Sequence, residues 1–479
     1  MDDTRGLSIS VDGITLVVDL DDTLVHTDML LETFWAALSV RWMNIVPATR
    51  ALIKGKAAFK RELEQLGPID PNLLPYNQEV IRHIKEWRNR GGRTALVSAS
   101  DQRLVSQIAT YLDLFDDVCG SDGVRNLKGP NKAAYLNETY GKGCFVYIGD
   151  AEADLDIWRD SACAVTVDVS PSLAARVDDQ APQSTHLKTR EGRVKPLLKA
   201  MRPHQWLKNV LVFLPMLAAH QFTALTIGQS LLAFVVFSLV ASSVYLLNDL
   251  LDLAADRVHP RKKRRPFASG TLPLMWGTIL APALLVVGFG LALFLNIQFV
   301  GVMLFYYAVT TAYSFFLKRA LIVDICTLAG LYTLRIIAGA AATGIPLSVW
   351  LLAFSMFFFL SLAAMKRQAE LKRQGQRKAH GRSYEIDDLP LIANMAVSSG
   401  YVSVLVMALY LNTDAVAGLY ANPTPLWGIC LVLLYWLSRM VMISHRGWMH
   451  DDPVVFAARD RISIICALCI FGFAIAGTV

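Results

Sequence analysis

From about Trp206 onward the chain is a series of long apolar stretches, each near the ~20 residues that a bilayer-crossing helix needs. Soluble proteins rarely repeat charge-free runs of this length, so this part is expected to form an all-α polytopic membrane domain. About nine spans are expected, near 206–221, 227–249, 275–293, 297–314, 321–342, 347–365, 391–411, 425–443 and 462–478. Residues 1 to about 200 have the mixed composition of a soluble domain instead. Averages over all 479 residues, 54% hydrophobic and 18% charged, hide that division. The expected organisation is a soluble domain at 1–180, a connection at 181–200 and a membrane domain at 201–479. Pro171, Pro182 and Pro196 with scattered Ser, Gln and Arg mark 169–200 as exposed chain.

Loop charge sets the expected orientation. The connections after the second, fourth, sixth and eighth spans carry Lys and Arg at 257–265, 318–319, 366–382 and 446–461. The opposite loops, 219–221, 295–297, 343–345 and 411–425, contain neither. The soluble domain and the basic loops are therefore expected on the cytoplasmic side of an inner (cytoplasmic) membrane, and the odd span count puts the carboxyl terminus outside. The net charge of +6 mostly reflects those loops, which suits anionic lipid and phosphate partners rather than nucleic acid. Residues 1–13 show neither the basic nor the apolar region of a signal peptide. Cys119, Cys144, Cys163, Cys326, Cys430, Cys466 and Cys469 have no metal-site pairing and are expected to be reduced.

At the end of the second span the chain reads Asn248-Asp249-Leu250-Leu251-Asp252-Leu253-Ala254-Ala255-Asp256, followed by a basic run through Lys262 to Arg265 and Pro266. Carboxylates at i, i+3 and i+7 fall on one stripe of a helix. Acids gathered so closely repel one another unless cations lie between them. Hard oxygen ligands beside Lys and Arg suit Mg²⁺ carrying a diphosphate.

In the soluble part, three apolar strands end in polar motifs: 15–18 before Asp19-Leu20-Asp21, 94–97 before Ser98-Ala99-Ser100, and 144–148 before Gly149-Asp150 and Asp154. Helical stretches near 77–90, 101–112 and 131–140 alternate with them, which implies a parallel α/β sheet with ligands at its carboxyl edge. One aspartate can attack phosphorus, and a second, two residues on, can protonate the leaving oxygen and later activate water. Further carboxylates can hold Mg²⁺, while a serine hydroxyl and a lysine steady the phosphoryl oxygens. In these motifs residues 10–180 resemble the haloacid dehalogenase (HAD) phosphatase superfamily. The resemblance implies a Rossmannoid sheet with Asp19 as nucleophile, Asp21 as acid/base, and Ser98 as phosphate-binding hydroxyl. It also implies one Mg²⁺ held by Asp19, Asp21, Asp150 and Asp154. Lys132 best fits the motif lysine, with Lys128 the runner-up, and 24–75 would form a small helical cap.

The membrane part adds Arg202 and Trp206 as interfacial anchors, and Lys208 just inside the first span, where an unpaired ammonium is costly. Tyr313, Lys318, Asp324 and Arg335 form a second polar group, with Asp324 and Arg335 too far apart along a helix to pair directly. The Asn248–Asp256 motif, the basic run after it and Tyr313, Lys318 and Asp324 together resemble the UbiA superfamily of intramembrane prenyltransferases, and one branch of it is suggested by Arg202-Pro203-x-Gln205-Trp206-x-Lys208-Asn209, Arg265-Pro266-x-Ala268-Ser269-Gly270, Leu334-Arg335-x-x-Ala338-Gly339, Lys366-Arg367-x-x-Glu370 and Asp452-Pro453-Val454. The resemblance is nearest to its polyprenyl-phosphate (decaprenyl-phosphate) phosphoribosyltransferase branch. The second aspartate motif of aromatic prenyltransferases holds two or more acids, but here Asp324 is followed by Ile-Cys-Thr-Leu. That departure argues against a prenyl-diphosphate donor.

The resemblance implies a membrane half that binds phosphoribosyl diphosphate (PRPP) with one or more Mg²⁺ on Asn248, Asp249, Asp252 and Asp256, the last two catalytic. Lys208, Lys262, Arg265, Lys318, Arg335, Lys366 and Arg367 are candidate phosphate clamps, with Tyr313 and Asp324 beside the substrate. A polyprenyl phosphate would accept the phosphoribose, and the HAD domain would then remove the 5-phosphate; an oligomer is compatible with this scheme. Two rival classes remain. One is a prenyltransferase using prenyl diphosphate and an aromatic or other acceptor, with an independent phosphatase. The other is a transporter with a regulatory HAD domain, which would not explain acids arranged for Mg²⁺.

Overall fold

The computed structural model describes residues 11–122, 127–190, 192–374, 383–449 and 452–478. Residues 1–10 of the amino-terminal stretch, 375–382 of one basic loop and 450–451 of another lie outside the described residues. The chain forms two compact units, Met1–Met201 with Leu246–Leu280, and Arg202–Tyr245 with Ala281–Val479.

In the first unit β1 (Thr15–Val18), β2 (Arg93–Asp101), β3 (Asp117–Ser121), β4 (Phe145–Gly149), β5 (Cys163–Val167) and β6 (Ser184–Leu187) make one parallel sheet in the order β3-β2-β1-β4-β5-β6. Central β1 is wholly buried, the pattern of a strand covered on both faces. Alternation along it sends Leu16 and Val18 into one core with Leu96, Val146 and Ile148. Val17 goes to the opposite core with Ala95, Val97, Phe145 and Tyr147. Strand order reverses between β1 and β4, so a crevice opens at their carboxyl ends. The sequence pattern predicts three of these strands; β3, β5 and β6 complete the sheet. Strand β6 also corrects the expectation of a bare connection at 181–200, because 184–187 pairs with β5.

Among the described residues nine helices accompany the sheet: α1 (Met29–Val40), α2 (Ile45–Ile53), α3 (Lys56–Leu66), α4 (Gln78–Asn89), α5 (Gln102–Leu112), α6 (Pro130–Tyr140), α7 (Leu155–Asp160), α8 (Pro171–Gln180) and α9 (Val194–Met201). Helices α1 to α3 are the expected helical cap, and Asp28 caps α1 by accepting from Leu31 N–H. Then follow α10 (Leu214–Ala218), α11 (Ala224–Leu251), α12 (Leu253–Val258), α13 (Leu274–Ala292), α14 (Ile297–Phe315), α15 (Val323–Thr343), α16 (Val349–Gln374), α17 (Leu389–Leu411), α18 (Asp414–Leu419), α19 (Trp427–His445), α20 (Pro453–Ala457) and α21 (Arg461–Thr478). Within the first unit, Glu32 of α1 holds Arg257 of α12 through two contacts of 2.5 and 3.1 Å, both side chains buried. Trp35 Nε1 donates to Thr278 Oγ1 at 3.0 Å.

Among the described residues eight helices are long and apolar enough to cross a membrane, not nine. The expected span at 206–221 is instead a 3₁₀ helix, Pro203–Phe213, running into short α10. Its composition is apolar, but a 3₁₀ helix rises ~2.0 Å per residue, so 203–218 reaches about 30 Å along its axis with fewer residues. This 3₁₀ helix packs closely on α15. A Cβ added at Gly339 would lie 2.0 Å from the Val212 carbonyl oxygen. Gly339→Ala should therefore lower stability by ~1–3 kcal/mol, read as a fall in the thermal midpoint in detergent. Gly330→Ala on the same helix, with nothing within 4 Å, should leave the midpoint unchanged or raise it.

Candidate functional site

The crevice of the sheet collects the predicted soluble-domain residues. Asp19 follows β1, with its backbone N–H donating to Ile148 carbonyl of β4. Asp19, Asp150 and Asp154 each offer a carboxylate oxygen, all within 4.8 Å of one another. Lys132 Nζ, buried on α6, lies 2.9 Å from Asp19 and 3.0 Å from the Tyr147 hydroxyl, which donates to Asp154 at 3.2 Å. Thr23 Oγ1 donates to Asp150 at 3.2 Å. Asp21 accepts from Met29 N–H at 2.6 Å, Ser100 Oγ at 2.9 Å and Ser98 Oγ at 3.4 Å. Lys132 is thus the lysine of the site; the alternative, Lys128, is exposed.

Crowded buried carboxylates resist ionisation. Burial, then the charges of Asp28 and Asp19, push Asp21 up to about 7, which suits a proton donor near neutrality. Burial, then Asp19, lifts Asp150 well above the carboxylate range. Burial carries Asp154 up to about 6, with Lys132 opposing and Asp19 adding. Burial disfavours the Lys132 ammonium, yet Asp19 and Asp154 outweigh it and hold the group raised. One ammonium among four carboxylates leaves a negative surplus, and hard oxygens at this spacing fit a divalent cation.

The Asn248–Asp256 motif does not lie on one unbroken helix: α11 ends at Leu251, and Asp252 caps α12. The stripe survives the break because Asp252 N–H still bonds Asn248 carbonyl and Asp256 N–H bonds Asp252 carbonyl. Arg265 Nη1 bridges Asp249 at 3.0 Å and Asp256 at 2.6 Å. Lys262 stands 3.9 Å from Asp256, whose buried Oδ1 makes no hydrogen bond. Burial pushes the Asp256 carboxyl up to about 6 against the pull of Arg265. That bare oxygen and the clustered acids fit a hard cation.

In the second unit the basic residues divide into two groups. Lys208 of the 3₁₀ helix and Lys366 of α16 both contact Asp452, at 2.8 and 3.1 Å, and the Tyr332 hydroxyl donates to the same carboxylate at 2.6 Å. Burial works to raise Asp452, but Lys208 and Lys366 outweigh it and hold it well below the usual range. Arg335 Nε donates to Asn209 Oδ1 at 2.9 Å, and its guanidinium lies over the rings of Phe237, Tyr306 and Tyr332 at 5.2 to 5.5 Å. Elsewhere Arg367 pairs with Asp324 at 2.8 Å, both fully buried, and also with Glu370. Tyr313 donates to Asp324 at 2.8 Å. Asp324, Tyr313 and Arg367 thus form a buried pair-and-tyrosine group rather than an open clamp, while Lys318 sits in the short turn Leu317–Arg319.

The sequence profile of the UbiA prenyltransferase family matches residues 209–474. The chain belongs to the UbiA prenyltransferase family. Like other members it is a multi-pass membrane protein, here with eight long apolar helices among the described residues. It is similar to an uncharacterised protein, y4nM, of Sinorhizobium fredii, 36% identical over 458 residues and covering 94% of this chain and 88% of that one. It is also similar to nodulation protein NoeC of Azorhizobium caulinodans, 38% identical over 276 residues, 56% of this chain and 89% of that one. The decaprenyl-phosphate phosphoribosyltransferase of Mycolicibacterium smegmatis is 43% identical over 185 residues, 37% of this chain and 58% of that one.

Sequence reasoning missed Thr23, Lys60, Ser100, Tyr147, Asn209, Tyr306, Tyr332 and Asp452 as site residues of this UbiA protein. Ser100 and Asp452 had a signal, since both lie within motifs quoted for the two resemblances. Lys60 did not: it sits on cap helix α3 and reaches the Ala99 carbonyl at 2.7 Å, a placement only the fold reveals. Asp452→Asn should leave two ammoniums without their counter-charge and cost ~3–5 kcal/mol in thermal unfolding. Combining it with Lys208→Met should cost at least ~1 kcal/mol less than the two single changes added together.

Proposed function

We propose that the protein is a bifunctional membrane enzyme that transfers 5-phosphoribose from PRPP to a polyprenyl phosphate and then removes the 5-phosphate, giving polyprenyl-phosphoryl ribose. The division of labour assigns transfer to the apolar helices with the Asn248–Asp256 stripe, and dephosphorylation to the parallel-sheet domain, β6 included. The reading is carried by the positive surplus around buried Asp452: buried Lys208 and Arg335 with partly buried Lys366 against one carboxylate, within a bundle of apolar helices. An unbalanced cationic cluster there suits a phosphate group. The donor and acceptor classes come from the relative named decaprenyl-phosphate phosphoribosyltransferase.

In the transfer step a lipid phosphate oxygen bonds to ribose C1 as the C1–O bond to diphosphate breaks, and diphosphate departs with the bonding electrons. Lys208, Lys366 and Arg335 bind phosphate oxygens; Arg265 and Lys262 hold the acidic stripe in register. In the second step the Asp19 carboxylate attacks phosphorus, and O5 of ribose leaves with a proton from Asp21. Asp21 then takes a proton from the water that splits the aspartyl phosphate, releasing inorganic phosphate and restoring Asp19. Ser98 and Lys132 hold the phosphoryl oxygens. Magnesium, when bound by Asn248, Asp249, Asp252 and Asp256 in one half and by Asp19, Asp150 and Asp154 in the other, neutralises charge on the diphosphate and on the phosphoryl group.

Loop charge supports a cytoplasmic face for the soluble half and the basic loops in an inner membrane. With 203–218 long enough to serve as a ninth crossing, the carboxyl terminus lies outside. Purified protein in nanodiscs given PRPP, Mg²⁺ and polyprenyl phosphate should release diphosphate and yield a ribosyl lipid by mass spectrometry. Asp19→Asn should accumulate the 5-phosphorylated lipid, and Asp252→Ala with Asp256→Ala should abolish transfer. Transfer from a prenyl diphosphate without PRPP would support the aromatic-prenyltransferase alternative instead.

A further inference from the structure

A cavity of about 340 Å³ within the first unit has a polar lining that includes Asp22, Asp150, Asp168, Arg190 and Arg193, and an apolar lining that includes Pro273, Met275 and Trp276. Asp150 belongs to the acidic cluster beside the nucleophile, so the cavity adjoins the phosphatase chemistry. Its polar wall is built with care. Asp168 and Asp22 both adopt left-handed backbone, with φ of 53° and 49°, a conformation that costs energy outside glycine. The Asp168 carboxylate accepts from Thr189 N–H, Thr189 Oγ1 and Arg190 N–H, at 2.6, 2.6 and 2.9 Å. This fixes the start of Arg190, whose side chain is only 10% exposed and whose Nη2 bonds Asp22 at 2.8 Å. Arg190 Nε is buried without a hydrogen-bond partner. A buried donor left bare costs ~1–3 kcal/mol, so its orientation calls for an acceptor.

The apolar lining has another character. Met275 and Trp276, 47% and 41% exposed, occupy the first turn of α13, a helix apolar enough to cross a bilayer. A Trp at the start of such a helix belongs at headgroup level. A soluble sugar phosphate would use the aspartates but neither the second cationic position nor the apolar wall. We infer that the phosphatase pocket takes a lipid-anchored phosphomonoester, whose lipid-linking phosphodiester is held by Arg190 and Arg193 while its chain leaves past Met275 and Trp276. The volume, at the low end for small-molecule sites, admits a headgroup and not a tail. This rests on the reading that the soluble half is a phosphatase, and it adds the residues that hold the lipid-linking phosphodiester and the side on which the chain leaves. Hydrolysis follows the course already given: the monoester P–O bond breaks, the alcohol keeps its oxygen and gains a proton, and water supplies the oxygen of inorganic phosphate.

Full-length protein in nanodiscs, compared on three substrates, tests the inference by phosphate release: polyprenyl-phosphoryl ribose 5-phosphate, phosphatidylglycerol phosphate and free ribose 5-phosphate. At least one lipid substrate should exceed free ribose 5-phosphate in kcat/KM. Arg193→Ala and Arg190→Met should lower kcat/KM on that lipid by about 10- to 100-fold, and by less on ribose 5-phosphate. Arg193 is exposed and Trp276→Ala removes the apolar wall, so two variants remain if Arg190→Met fails to fold. Ribose 5-phosphate hydrolysed as well as both lipids, equal losses on all substrates, or no turnover of either lipid would each overturn the inference. Preference for phosphatidylglycerol phosphate with the ribosyl lipid ignored would uphold it while refuting dephosphorylation of the transfer product.

Discussion

Charge in this chain is gathered where water is scarce, and two of the gatherings are left out of balance in opposite directions. Around Asp19 the carboxylates outnumber the single ammonium of Lys132. Around Asp452 two lysines and a neighbouring arginine outnumber the one carboxylate. A matched buried pair satisfies its own charge, whereas an unbalanced cluster is stabilised by a counter-ion of the opposite sign. The Arg367–Asp324 pair, matched and fully buried, is of the first kind, which separates it from its immediate chain neighbour Lys366.

The parts of the fold legible in the sequence are those whose cause is local. Strands β1, β2 and β4 are short apolar runs that end in acids or hydroxyls, so run and motif announce each other. Strand β6 escaped notice because Ser184-Thr185-His186-Leu187 lies at the sheet edge, half-exposed, with no apolar run to mark it. The 3₁₀ geometry of 203–213 is equally invisible, since hydropathy records how apolar a stretch is and not its rise per residue. That stretch packs closely on Gly339, more than a hundred residues away, a contact that no local pattern announces.

Site residues follow the same rule. Asp19, Asp21, Ser98, Asp150 and Asp154 were readable because each closes or follows an apolar strand, and the sheet brings those strand ends together. The stripe from Asn248 to Asp256 was readable as a spacing, though not the break at Asp252 that divides it between two helices. Partnerships were not readable. Along the chain Asp324 and Arg335 look like the two halves of one charge problem. The fold gives Asp324 to Arg367, and Arg335 to Asn209 with an aromatic box.

Glu32 and Arg257 carry a consequence for the movement of α1. Glu32 stands on the helix whose first N–H binds Asp21, and Arg257 directly follows Asp256. Drawing these two buried, doubly bonded charges apart would strand both, at a cost of ~3–5 kcal/mol, so α1 is tied to α12. Any movement of α1 away from Asp21 would first have to break that tie.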